Sequence, residues 1–461
     1  MRGRTITGDP ETRDTLHRRR LDREWGAALV LGTAHGAQHF LSSLLPPLIP
    51  ILTLGLGYPL WQLGLLVSVY SLVSGLGQAP LGVLSDRYDR RYLLPPGLAM
   101  MGLGYVLFGL SPNLGPTLPA LTVLGATFTG PFLVMTAGMV VAGAGSSAVH
   151  PTGYPMVSSN VREGRKGRAL GIWGSASKLG DTLAPVSVAV LVLVLSWNRV
   201  LLVLGLVGVG YAAALAAVLS RGVIETRPAR ARAAVEAGEP DAGDAARAAL
   251  ADRRSFVYPM LVVLLFFVTR GVATKGVRTY VPTFVTDVYG YSLTVFGTTI
   301  GPTSLANAYF SALLLTAAVV QLAAGELTDC YDHRKVIVGL FSLATVGLVV
   351  LSFVRLSPLG LLVTLLVVGG SIWGANPARD TLVSDISPDE WEGRTFGYLW
   401  TFTQALSAFS PVVIGYVADV ASIRESFAYL ALATLVASAA AALLLSPRVY
   451  LAPEPTSATS D

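Results

Sequence analysis

Apolar stretches of about 20 residues recur along nearly the whole chain, and no other feature constrains its fold as tightly. Each is long enough, as a helix, to cross roughly 30 Å of hydrocarbon. Inside that layer every backbone polar group must find an internal partner, which helices provide within one segment. The spans read as 27–50, 62–83, 93–111, 129–152, 168–195 and 199–220, then 257–284, 303–325, 334–354, 358–379, 395–421 and 425–446. Only 13% of residues are charged, about half the share of a soluble domain. The expectation is an all-α polytopic membrane protein with twelve transmembrane helices in two six-helix halves. Its parts are a tail at 1–25, a half at 26–221, a linker at 222–254, a half at 255–446 and a tail at 447–461. The linker is rich in Ala, Arg and acidic residues, with Gly and Pro, and reads as partly helical.

The first 25 residues are polar and Arg-rich without an apolar core, so they do not read as a cleaved signal peptide. A lone cysteine, Cys330, leaves no intramolecular disulfide to form. Basic residues set the orientation. Of 33 Lys and Arg, 26 fall on one face, in both tails, the linker, Arg379, Arg394 and the short loops; Arg199, Arg355 and Arg424 fall on the other. Both termini are therefore expected in the cytoplasm, with the chain multi-pass in the plasma (inner) membrane.

An internal repeat supports two halves. Gly143 to Pro185 matches Gly369 to Pro411 at an offset of 226, pairing His150-Pro151 with Asn376-Pro377, Lys178 with Gln404 and Asp181 with Ser407. Gly36 and Pro47 pair with Gly271 and Pro282 at an offset of 235, which sets Arg270, Lys275 and Arg278 against His35, Phe40 and Ser43. The turn G-V-L-S-D-R-Y-D-R-R from Gly82 to Arg91 matches G-E-L-T-D-C-Y-D-H-R from Gly325 to Arg334 at an offset of 243. The difference of 17 between these offsets places an insertion around Asn113 to Gly130, on the outer face.

The spacing G-x-L-x-D-R-x-x-R-R, between the second and third spans, resembles the signature loop of the major facilitator superfamily. The resemblance covers about residues 26–446 and implies a secondary transporter of two six-helix halves working by alternating access. It also implies that Gly82, Asp86, Arg87, Arg90 and Arg91, with Gly325, Asp329 and Arg334 in the second copy, form a conformational switch that locks the halves in the outward-facing state. On physical grounds Gly82 would let two helices approach closely, and Asp86 would sit at the positive end of a neighbouring helix. With Cys330 and His333 in place of two Arg, the second latch is expected to be weaker. The run G-A-G-S-S-A-V-H-P-T-G from Gly143 to Gly153, G-R-A-L-G-I-W-G from Gly167 to Gly174 and H-F-L-S-S-L-L-P-P-L-I-P from His39 to Pro50 are similar to the fosmidomycin-resistance branch. Two departures bear on the drug-antiporter pattern. Met139 stands where such exporters carry an Arg, and their Gly-Pro-x-x-Gly-Gly element is reduced to Gly180, Ala184 and Pro185.

Charges within the spans are the candidates for substrate contact and coupling, because each costs roughly 2.5–3.5 kcal/mol at mid-depth unless paired or facing a cavity. Lys178 and Asp181 lie one turn apart in the fifth span and read either as a substrate-anion contact tuned by a protonatable partner or as a self-neutralising pair packed on Trp173. Arg270 has no acidic companion in its own helix, and either takes an anion in a cavity or pairs with another helix. Lys275 shares that choice, and Arg278, near the outer end, reads as snorkelling. His35, Gln38 and His39 share one helix face and could carry the coupling proton or satisfy helix contacts. Two neutral imidazoles without a third His or a carboxylate do not make a metal site. His150, before Pro151 at the end of the fourth span, reads as a structural cap. No phosphate-cradling loop or nucleophile cluster is present, so neither ATP use, an enzyme activity nor nucleic-acid binding is expected. The expected function is secondary active transport of a small organic solute, anionic and proton-coupled, by a monomer in the lipid bilayer without cofactor or metal. The alternatives are a drug/proton antiporter and a non-transporting membrane sensor.

Overall fold

The computed structural model describes residues 10–228, 257–295, 297–387, 392–447 and 449–450; most of the linker and the C-terminal tail lie outside them. Among the described residues, eleven helices are long and apolar enough to cross a membrane: Arg23–Leu56, Leu60–Arg87, Arg90–Gly109, Gly130–Asn160, Trp197–Ser220, Tyr258–Tyr289, Pro302–Thr328, His333–Phe353, Pro358–Ile386, Gly397–Val420 and Ile423–Leu443. A twelfth helix, Lys166–Leu191, has the length but not the hydropathy. It is the fifth span, diluted by Lys178, Asp181 and small residues. The expected twelve-helix architecture stands, six spans before the linker and six after.

Several boundaries moved for local reasons. The first helix begins at Pro10, within the segment read as a tail, and runs to Ser42. A 3-10 turn at Pro46–Leu48 then leads into Ile49–Leu56, which stops at Gly57 in the left-handed region, φ 71°. The fourth span breaks after Ser146 and restarts at Val149; its repeat partner breaks at Ala375 before Asn376. Both breaks fall beside the His150-Pro151 and Asn376-Pro377 pairs, where a proline at the start of the new helix needs no donor.

The insertion near Asn113 to Gly130 forms a hairpin, β1 Leu121–Val123 with β2 Ala126–Phe128. A second hairpin, β3 Leu293–Val295 with β4 Thr298–Ile300, joins spans seven and eight. The two share the sequence pattern L-T-V-x-G-x-T although they occupy different loops of the repeat. Gly125 and Gly297 sit at φ 81° and 79° in the two turns, which suits two-residue hairpin loops. Thr122 meets Thr127, and Thr294 meets Thr299, each at 3.2 Å across the strands.

Small residues bring the helices into backbone contact, as packing in lipid requires. A Cβ on Gly180 would collide with the carbonyl of Gly36, so spans one and five touch there. That contact sets His39 beside Asp181.

Several hydrogen bonds among the described residues join the halves at mid-depth and on the hairpin face. Asp419 accepts hydrogen bonds from the backbone N–H groups of Leu60 (2.9 Å) and Trp61 (2.8 Å), capping the second span from the opposite half. The Tyr280 hydroxyl donates to the Pro411 carbonyl at 2.6 Å and lies 3.0 Å from that of Leu60. Asn307 donates to Pro47, and Ser304 to Ala189. These bonds close the halves on the hairpin face, and a cavity between them extends from there toward the charged turns. Gly64 is essential to that closure, since a Cβ there would strike the Pro411 carbonyl and the Tyr280 hydroxyl. Gly64→Val is expected to deplete this state by at least 10-fold. Crosslinking of a cysteine pair at Trp61 and Val420 checks it: the yield should fall in the Gly64→Val background, and an unchanged yield would show that the closure does not need a glycine at 64.

Candidate functional site

Between the halves lies a cavity of about 320 Å³, reaching from Leu45 and Arg278 at mid-depth to Gln78 and Arg379 nearer the charged turns. Its lining includes Gln38, His39, His150, Lys178, Arg270, Lys275, Arg278 and Arg379, with Trp373 and Trp400 as aromatic walls. Five of these are formal cations.

Asp181 is the hub. It is 2% exposed, and its Oδ1 accepts hydrogen bonds from Ser43 (2.9 Å), His39 Nδ1 (3.1 Å) and Arg278 (2.5 Å), while Lys178 Nζ lies 3.9 Å from Oδ2. Arg278 also donates to Ser43. The snorkelling expected of Arg278 is therefore corrected. Its guanidinium crosses to the other half and forms an ion pair there, because the desolvated Asp181 carboxylate offers more than the interface would. Trp173 stacks on His35 with ring centroids 4.2 Å apart.

The opposite wall is built on Arg270, which is 7% exposed. Its guanidinium donates to Asn376 Oδ1, and Arg379 donates to the same oxygen at 3.3 Å. Asn376 in turn donates to Gln321 at 3.0 Å. Arg270 Nε is buried without a hydrogen-bond partner. Arg379, counted above with the charged face, is buried instead between Phe267 and Trp400, 5.6 and 5.4 Å from their centroids, with Asp380 2.6 Å away. Two guanidiniums sharing one amide oxygen leave donors over, which suits an incoming carboxylate, sulfonate or phosphate. Lys275 reaches the Gln404 carbonyl at 3.3 Å.

The repeat relates the two walls. Arg270 and Asn376 occupy the repeat positions of His35 and His150, and in each half the two members meet: Arg270 through a hydrogen bond, the histidines with ring centroids 5.1 Å apart. His150 is thus a cavity residue and not the helix-end cap expected from its position before Pro151. His35 donates from Nδ1 to the Trp173 carbonyl at 2.9 Å, and Gln38 donates to Ser146 at 3.0 Å.

The charged turns are placed differently from the expectation. Gly82 and Gly325 face open space, so close helix approach is not their role in this state. Asp86 and Arg87 are exposed, whereas Arg90 is buried and donates to Ser85, which donates to the Pro151 carbonyl. Arg91 pairs with Asp89 at 3.1 Å. In the second turn Arg334 grips Asp332 at 2.7 Å and the Leu444 carbonyl at 2.9 Å. The Arg334 guanidinium holds the Asp332 carboxyl below the usual carboxylate range. The Asp329 side chain lies outside the described residues.

The family model of the Major Facilitator Superfamily matches residues 31–315 and 304–460, nearly the whole chain. The chain belongs to the major facilitator superfamily. Within it, a Probable L-galactonate transporter of Escherichia coli (strain K12) is 29% identical over 156 residues, covering 33% of this chain and 30% of that protein. The Fosmidomycin resistance protein of the same organism is 25% identical over 168 residues, covering 36% and 37%. These matches span about a third of each relative's length. Two solved superfamily folds are similar over more than nine-tenths of the chain: an inward-facing, occupied bacterial homologue of the human lysosomal transporter Spinster (TM-score 0.72, 13% identity, 94% of this chain and 99% of that one) and the nucleoside transporter NupG as its D323A mutant (TM-score 0.68, 14% identity, 91% and 100%).

Proposed function

We propose that this member of the superfamily is a secondary active transporter of a small organic anion, driven by protons through alternating access. The observation that carries the reading is the Asp181–Arg278 ion pair at the head of a cavity lined by five cations. An anion entering the cavity competes with Asp181 for Arg278. Protonating Asp181 releases Arg278 and raises the cavity's net positive charge, so proton and anion favour each other's binding. That is the linkage of a symporter. Export by exchange, the alternative of a drug/proton antiporter, needs the opposite, solute and proton displacing one another. Lys178, Arg270, Lys275 and Arg379 are read as anion contacts, with Gln38 and His39 completing the polar wall and His35 buried behind it.

The test is uptake by proteoliposomes of a panel of sugar acids and organic sulfonates, with and without an inward proton gradient. The reading expects at least one anion to accumulate with the gradient and its affinity to rise as pH falls. Affinity that rises with pH would favour exchange, and transport confined to neutral or cationic compounds would reject the anion reading.

The charged turn at Gly82–Arg91 is read as the latch of the opposite, outward-facing state, which accounts for Asp86 standing exposed while the halves are closed on the hairpin face. Asp86→Asn is expected to cut transport at least 10-fold with normal membrane levels; rates equal to the parent protein's would reject the latch role. The chain is read as lying in the plasma membrane, and the distribution of basic residues supports an orientation with both termini and the linker cytoplasmic. Epitope tags at either terminus or at Ala237 should be shielded in intact cells and a tag at Pro116 accessible, and outside labelling of a terminus would overturn that orientation.

A further inference from the structure

The sequence pair His35 and His39 lacked both a third imidazole and a carboxylate, and the fold supplies both. His150 comes from the fourth span, so that one ring nitrogen from each histidine lies within 4.8 Å of the others. Asp181 comes from the fifth span and accepts from His39 Nδ1. We propose that His35, His39 and His150 form a binding site for a divalent first-row transition-metal ion in the wall of the central cavity.

Three features support it. The first is tautomer control. Carbonyl and carboxylate oxygens only accept, so the Trp173 carbonyl fixes the proton of His35 on Nδ1, and the ionised Asp181 does the same for His39. Both rings are left with a lone pair on Nε2, in the arrangement by which proteins orient metal-bound imidazoles. The second is an unmet need. His35 is 4% exposed, and its Nε2 is buried with no hydrogen-bond partner. Such an orphan is costly unless something completes it. The third is spacing. Imidazoles bound tetrahedrally at about 2.0–2.1 Å place their ring centroids roughly 5 Å apart. The three centroids here are 4.6, 5.1 and 6.4 Å apart, so a small rotation of His150 toward His39 closes the set.

Three neutral imidazoles suit Zn²⁺, Co²⁺, Ni²⁺ or Cu²⁺ and not Mg²⁺ or Ca²⁺, which take oxygen ligands. Lys178 and Arg278 stand nearby, but both face Asp181, which offsets part of their repulsion of a metal cation. His39 and His150 line the cavity, so the fourth coordination position lies open to it. All three ligands belong to the first half, so the set survives the movement of the halves.

The test uses the full chain, purified with a tag that contains no histidine and stripped with chelator. Co²⁺ titration should produce the visible absorption bands of a four-coordinate imidazole site, and Zn²⁺ should abolish them. His39→Gln and His150→Gln, chosen because neither side chain is fully buried, should each lose the bands while melting as the parent does. Asp181→Asn keeps all three imidazoles and should weaken Co²⁺ binding about 10- to 100-fold, the usual effect of removing a metal ligand's outer partner. Absence of the bands in the parent, or their survival in either histidine variant, would overturn the site.

Discussion

Asp181→Asn should abolish proton-driven transport while leaving the protein inserted in the membrane. An amide still accepts hydrogen bonds from Ser43 and His39, so the packing of spans one and five, fixed by the Gly36–Gly180 contact, is kept. What disappears is the negative charge facing Arg278 and Lys178. Removing one partner of a buried ion pair costs about 3–5 kcal/mol, because the other charge is left uncompensated. Here the penalty falls on the closure of the halves, since Arg278 and Asp181 belong to different ones. The closed hairpin face should loosen and the bond that a proton breaks should no longer exist. Coupled uptake is expected to fall at least 100-fold, with any residual transport independent of pH. A variant that accumulates anions against a gradient as the parent does would remove Asp181 from the coupling step.

Arg270→Gln should act on affinity instead. Arg270 lies on the other wall, contacts Asn376 and carries an unpartnered buried Nε. Losing a charge-assisted hydrogen bond to an anion costs about 1.5–3 kcal/mol, which corresponds to roughly 10- to 150-fold in affinity at 1.36 kcal/mol per decade. The pH dependence should persist, because Asp181 and Arg278 are untouched. Arg270→Lys should recover only part of the loss, as an ammonium cannot reproduce the planar fork. Binding of the transported anion to detergent-purified variants, measured at two pH values, separates this result from that of Asp181→Asn. Wild-type affinity in Arg270→Gln would make the arginine structural.

How much of this was legible follows from what repeats and spacing can carry. Twelve spans, two halves and the pairing of His35 with Arg270 come directly from apolar length and constant offsets. Which side of a helix faces a cavity does not, and the misplaced residues share that cause. Arg278 lies near the end of a span, where an anchor and an ion-paired group look alike in sequence; its partner Asp181 is 97 residues away in the other half. Arg379, two residues after a proline at a span end, reads in sequence as part of the charged face, although two aromatic rings flank it. In sequence His150 stands apart from His35 and His39, because nothing local says that the fourth span folds against the first. Gly82 reads as a close-packing position, a role that this state of the protein does not use. The recurrence of L-T-V-x-G-x-T at 121–127 and 293–299 was readable as two hairpins, but it sits outside the offsets that align the halves.

The measurement that bears most directly on the central claim is a thermal-shift comparison of the purified parent and Arg270→Gln against matched sets of sugar acids, organic sulfonates and their uncharged analogues. A cation-lined cavity between two halves predicts that at least one anion raises the melting temperature of the parent. It predicts that the uncharged analogue does nothing and that the shift is lost in Arg270→Gln. Stabilisation by uncharged or cationic compounds alone, or an anion-induced shift of equal size in both proteins, would contradict it.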